Sequence, residues 1–242
     1  MITKLISIVI WLAVVGMQSN MSGTYTTSYF RLKYEKNISL KDIQKIGSML
    51  EKQYTASQKK LNLSLNQRVD VLVYNSPTRF QSEAQSRAFD DGAYRNGRIY
   101  LSMPVLAERE MGLQNVISRL VSRAILGEVK ACPEWLAEAY GLYAGNELLR
   151  FGQPARFTVG SFSDLSEDYA HAEVQADVKE VYAKLAATAN FLVSHYGEKK
   201  VNAIFTEFKR GESLEDAFEF GFGEKTKDVE KAWVKSLRSP IK

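Results

Sequence analysis

The sequence predicts an α+β fold: an N-terminal half of mixed strands and helices, followed by an all-helical half. Three observations carry this. Stretches before residue 75 alternate apolar and polar residues and are rich in aromatic and β-branched side chains. From Leu113 onward, apolar residues recur at i, i+3, i+4 and i+7. No linker divides the chain, so its 242 residues read as a leader (1–22) followed by one domain (23–242).

The leader comes first. Lys4 precedes "LISIVIWLAVVG", Leu5 to Gly16, an apolar run of 12 residues. That length suits a secretory signal and is short for crossing a bilayer. The following "GMQSNMSG" lacks a small-x-small cleavage pattern, and two outcomes stay open. Either the segment is removed and the protein is exported to the periplasm or extracellular space, or residues 5–16 are kept as a membrane anchor. No cysteine is nearby to carry a lipid. Removal takes away Lys4 and lowers the net charge from +4 to +3.

Beyond the leader, "YTTSYFRLKYE" (Tyr25 to Glu35) reads as one strand. "SLKD" at Ser39 is a capping box, opening a helix to about Leu61 with Ile43, Ile46, Met49, Leu50, Tyr54 and Leu61 on its apolar side. "RVDVLVY" (Arg68 to Tyr74) is a second strand, and Ser76-Pro77 opens a short helix through Phe80. Turn signals stand at Asp91-Gly92 and Asn96-Gly97, and Arg98 to Met103 reads as a strand with Ala93 to Arg95 as its hairpin partner. A helix then carries Leu113, Val116, Ile117, Leu120, Val121, Ala124 and Ile125, and another starts at Pro133. Phe151 to Asp168 reads as irregular. Helices follow over Val178 to Tyr196 and Lys199 to Lys209, and a last helix runs from the "SLED" cap at Ser213 to near Arg238.

Composition narrows the function. The chain is 45% hydrophobic and 25% charged, an ordinary globular balance. Its net charge of +4 is scattered, with no basic run that would track a phosphate backbone, so no nucleic-acid partner is expected. The single cysteine, Cys132, can form neither an internal disulfide nor a cysteine-based metal site, and reads as a small buried residue before a helix. N-x-S triplets stand at Asn20, Asn37 and Asn62. Met103, Met111 and the many Tyr and Phe residues read as core, and no Gly-rich phosphate loop is present.

The order of elements resembles the peptidase MA-like family, the gluzincin type of zinc metallopeptidase. A strand, a long helix and a strand ending in "VLVYNSPTRFQ" are followed by "GAYRNGRIYL", then "PEWLAEAYGLY", then "YAKLAATANFLVSHYGEKKVNAIFTEF". The likeness covers nearly all of residues 25 to 238 and implies a gluzincin-like metallopeptidase fold. Active members carry H-E-x-x-H on the first helix of a pair. Two histidines at i and i+4 share one face and one Zn²⁺, the Glu takes a proton from the metal-bound water, and a Glu on the next helix is the third ligand.

The positions matched here are Ser118, Arg119, Leu120, Val121 and Ser122. Both histidine positions are serine and the base position is arginine. Only the third-ligand position survives, as Glu138, and the resemblance sets Trp135 between the two helices with Tyr143 in support. No histidine precedes His171, so no shift of register restores the motif. The only other histidine, His195, sits near a helix end and suits a C-terminal dipole. Ser118 and Ser122 otherwise read as the polar edge of an amphipathic helix.

The expectation is an exported pseudo-peptidase with no catalytic residues and no metal or cofactor, binding a peptide or protein partner. Without zinc, a buried Glu138 needs a cationic partner, which Arg119 or Arg123 can supply. The alternatives are a hydrolase with a rearranged site, using Glu138 and His171 with Glu173 close in sequence, and a structural envelope module.

Overall fold

A computed structural model describes residues 21–85, 91–104, 112–151, 160–172 and 175–238. Residues 1–20 of the leader, Glu173 and Met111 lie outside these residues, while Met21 and Ser22, expected to end the leader, open the first strand. The described chain is α+β, with a five-stranded sheet in its N-terminal half and helices filling its C-terminal half.

The first strand differs from expectation. Instead of one strand, β1 (Met21–Thr26) and β2 (Phe30–Glu35) form an antiparallel hairpin. Thr27 closes the turn, its backbone N–H and its hydroxyl both donating to the Phe30 carbonyl. Alternation lapses at Thr26-Thr27-Ser28 and at the adjacent Tyr29-Phe30, where the turn falls, but the segment has no Gly, Pro, Asn or Asp to mark a turn that depends on a threonine hydroxyl. β3 (Val69–Tyr74) adds parallel to β2, β5 (Arg98–Ser102) parallel to β3, and β4 (Gly92–Arg95) antiparallel to β5, giving the order β1-β2-β3-β5-β4.

One face of the sheet carries Phe30, Leu32, Val69, Val71, Val73, Ile99 and Leu101 into the main core. Two helices cover it. α1 (Leu40–Leu61) is capped by the Ser39 hydroxyl, which accepts from Asp42 N–H, and buries Ile43, Ile46, Leu50, Tyr54 and Leu61. α3 (Gly112–Gly127) packs beside it. On the other face, α2 (Pro77–Ala84) extends one turn past the expected end at Phe80. It covers only one end, where Tyr74, Phe80 and Tyr100 pack together. Glu35 fixes that helix by accepting from the backbone N–H groups of Asn75 and Ser76 and from Arg79.

The helical half begins with α4 (Glu134–Ala144). Pro133 is its cap rather than its first helical residue, and its carbonyl accepts from Leu136 and Ala137. The stretch expected to be irregular contains α5 (Phe162–His171), opened by the Ser161 hydroxyl accepting from Asp164 N–H. α6 (Gln175–Tyr196) and α7 (Glu198–Arg210) follow. The expected last helix is two: α8 (Leu214–Phe222), capped by Ser213, and α9 (Thr226–Arg238). Gly223, at φ 78°, breaks the run in a left-handed conformation that costs glycine little. Trp135, buried in the main core, stacks on Phe162 of α5 at 5.0 Å, and Phe162 stacks in turn on Trp233 of α9 at 4.8 Å.

On the uncovered end of the sheet, Asp70 is shared by Arg31 at 2.6 Å and Lys33 at 3.1 Å. Burial pushes the Asp70 carboxyl up, but the two cations outweigh it and hold the group below its ordinary value of 3.8. A depressed folded-state pKa stabilises above the unfolded value and loses that stabilisation as pH falls through the folded value. Asp70→Asn is therefore expected to cost up to ~1 kcal/mol at neutral pH. Urea denaturation should show the difference closing below about pH 4; a gap constant with pH would refute the assignment.

Candidate functional site

The helix pair α3–α4 holds the candidate site, and two glycines allow its close approach. A Cβ on Gly141 would lie 3.1 Å from Arg123 Cγ and 3.3 Å from Arg119 Cγ. A Cβ on Gly145 would lie 2.7 Å from the Asn115 carbonyl oxygen. The stems of both arginines thus run across bare backbone, and their guanidinium groups reach α4 from one turn apart.

Both groups meet Glu138. Arg119 Nη1 lies 3.3 Å from Glu138 Oε1, and Arg123 Nε donates to Oε2 at 2.8 Å. Arg119 does more. Its Nη2 donates to Asp91 at 2.9 Å and to the Gly92 carbonyl at 3.1 Å, where β4 begins. Its Nε lies 2.7 Å from Glu147 Oε2, an ion-pair contact without hydrogen-bond alignment. Arg150 Nη1 then joins Glu147 at 2.9 Å and Asp91 at 3.2 Å. Three guanidinium groups and three carboxylates therefore share one buried cluster, with Arg119 4% exposed, Glu138 5% and Asp91 0%.

Local backbone chemistry sets these positions. α4 ends with Asn146 at φ 54°, and the Glu147 N–H donates back to the Leu142 carbonyl at 2.8 Å. That is the 6→1 bond of a Schellman ending, and it turns Glu147 back toward Arg119. Asp91 is fixed by its carbonyl, which accepts from Ser102 N–H across the β4–β5 hairpin.

Electrostatics follow from burial and charge. Burial alone would pull the Arg119 guanidinium down, but Glu147, Asp91 and Glu138 raise it well above its ordinary value. Arg123 is raised as well, against its burial, chiefly by Glu138. Burial lifts the Tyr169 hydroxyl to about 12, with Glu138 adding to the rise. The Cys132 thiol, pushed up by burial to about 12, stays protonated at neutral pH.

The residues singled out from the sequence separate into two groups. Arg119, Arg123 and Glu138 come together. Ser118 and Ser122 do not join them. The Ser118 hydroxyl donates to the Gln114 carbonyl of its own helix at 2.9 Å. Ser122 is fully buried rather than at a solvent edge, 3.4 Å from Ser57 of α1. His171 is exposed, with Nδ1 2.9 Å from the Glu167 carbonyl, and His195 is exposed against Phe191. Among the described residues, no group of three or more His, Cys, Asp or Glu is placed to hold a metal ion.

Tyr143 lies elsewhere. Lys60 sits over its ring at 5.5 Å, and burial together with Glu198 raises its hydroxyl pKa. Beside them is a cleft of about 350 Å³ between the end of α1 and α7, lined by Lys60, Asn62, Glu198, Lys199, Asn202 and Thr206 among others. The sequence reading missed Asp91, Glu147 and Arg150. Their only signal is a charged residue beside each of two turns, which is common on any surface.

Chemically the cluster is closed. Both oxygens of Glu138 face guanidinium groups, and an arginine offers no lone pair to a cation. The donor set does not fit zinc. Among the described residues neither serine has a base in reach: Ser118 bonds the Gln114 carbonyl and Ser122 faces Ser57.

Removing Arg119 leaves three carboxylates buried together. Arg119→Ala should cost about 3–5 kcal/mol, the usual loss when one partner of a buried ion pair is deleted. Ser118→Ala should stay within about 0.5 kcal/mol. Gly145→Ala should cost about 1–3 kcal/mol, because the backbones must separate. Urea denaturation of the three variants checks this order, and an unchanged midpoint for Arg119→Ala would refute the role given to it.

No protein-family model matches this chain, and no curated protein matches it.

Proposed function

We propose that this chain is an exported, non-catalytic relative of the peptidase MA-like type, in which arginine supplies the positive charge that zinc supplies in active members, and that it binds a peptide or protein partner. One observation carries the reading: Arg119 and Arg123, one helical turn apart on α3, converge on Glu138 of α4. That is the spacing at which two histidines and a following glutamate would surround a cation.

The contacts favour a register one residue later than the sequence match. Arg119 and Arg123 then stand at the histidine positions, Leu120 at the base position, and Ser118 and Ser122 outside. Either register leaves no base and no imidazole, so no zinc-dependent step is derived. Glu138, held by two arginines, and His171, exposed on α5, do not support a rearranged hydrolase. The polar cleft beside Tyr143 supports partner binding over a purely structural envelope role. Export, or anchoring by residues 5–16, rests on the leader sequence.

Elemental mass spectrometry after dialysis against excess zinc is expected to give a metal-to-protein ratio near zero, with no chelator-sensitive turnover of casein. A ratio near one that falls in Glu138→Ala would overturn the non-catalytic reading. For the partner, a random peptide library on phage should yield sequences whose affinity drops at least tenfold in Asn202→Ala. A library that enriches nothing would leave the envelope module as the better reading.

A further inference from the structure

The open face of the sheet carries a line of charge that the Arg119 cluster does not use. Strand register sets Thr26, Arg31, Asp70, Arg98 and Arg95 side by side across all five strands. Their neighbours in sequence point into the main core, so these residues point away from it. Lys33 flanks the line, paired with Leu72 of β3. α2 covers only the end of this face around Tyr74 and Tyr100, and Arg31, Arg95 and Arg98 are exposed. Glu35 and Arg79 on this face cancel each other in an ion pair. Among the described residues, four cations (Arg31, Lys33, Arg95 and Arg98) against Asp70 leave 4 − 1 = +3 on the uncovered part, against +4 for the whole chain.

We propose that this sheet face docks on an anionic lipid surface. Two observations select that partner. The apolar run Leu5 to Gly16 ends five residues before Met21, the first residue of edge strand β1. Five steps of extended chain span at most about 18 Å, at ~3.6 Å each. The sheet therefore lies near the bilayer whenever that run is in it. The second observation concerns bases. Single-stranded nucleic acid needs exposed aromatic rings to stack on. The aromatics of this face, Tyr74 and Tyr100, are 1% and 5% exposed under α2. A flat basic surface without stacking rings suits headgroup phosphates, which contribute per charge and weaken with salt. This inference does not depend on the pseudo-peptidase reading.

The test is co-sedimentation of the full chain with vesicles of phosphatidylcholine alone or with about 30% phosphatidylglycerol, a composition that gives an anionic surface. The apolar run adds equally to both, so the phosphatidylglycerol-dependent excess reports the sheet face. Arg95→Gln with Arg98→Gln should reduce that excess about twenty-fivefold, from about fivefold per residue. If the pair fails to fold by thermal melting, each single variant reads its fivefold alone. Lys41→Gln with Lys45→Gln removes the same charge from exposed positions on α1, across the sheet, and should leave the excess in place. Asp70→Asn should raise it. Equal binding to both vesicle types would overturn the proposal, as would an equal loss in the α1 variant. Tighter binding to a single-stranded DNA oligonucleotide, lost with Arg95 and Arg98, would reassign the face to nucleic acid.

Discussion

A guanidinium as buried as that of Arg119 needs its charge answered where it lies, and three carboxylates from three segments answer it. Asp91 stands at the entrance to β4, Glu138 in the middle of α4, and Glu147 just past the end of that helix. Each can reach Arg119 only if its own segment is correctly placed. The sheet edge, the helix pair and the turn after α4 are thus tied to one side chain. Arg123 and Arg150 complete the balance, so no net charge is sealed inside.

Such a network is not the cheapest way to fill space. Well-packed apolar side chains of the same volume are often as stabilising or more so. What the cluster adds is a definite geometry. An apolar seam between α3 and α4 would tolerate a slide along the helix axis, whereas bonds from two arginines to one carboxylate would not. The glycines at 141 and 145 serve the same end by bringing the helices close enough for short contacts.

Much of the fold was legible in the sequence. Ser39, Ser213 and the two Gly-containing turns mark boundaries where the structure has them, because caps and tight turns are local chemistry. The failures share a cause. The β1–β2 turn rests on one threonine contact in a segment without Gly, Pro, Asn or Asp, and α5 begins at a serine cap in a stretch that looked too irregular to be helical. At the site, the pairing of Glu138 with Arg119 and Arg123 was reached through the resemblance, which set Glu138 opposite α3, and through the need of a buried carboxylate for a cation. Asp91 and Glu147 could not be found that way, since they arrive through a hairpin and a helix ending whose direction is set by tertiary packing. Ser122 was misjudged as a solvent edge for a related reason: which sides of α3 are covered depends on how the helices around it pack.

The cluster also bears on time. Its members are distant in the chain, 28 residues from Asp91 to Arg119 and 59 from Asp91 to Arg150. Contacts of that separation form after the local helices, when most water has left the interior. Interactions completed late in folding act mainly on the rate of opening rather than the rate of closing. A chain built in this way resists prying apart more than its equilibrium stability alone would imply.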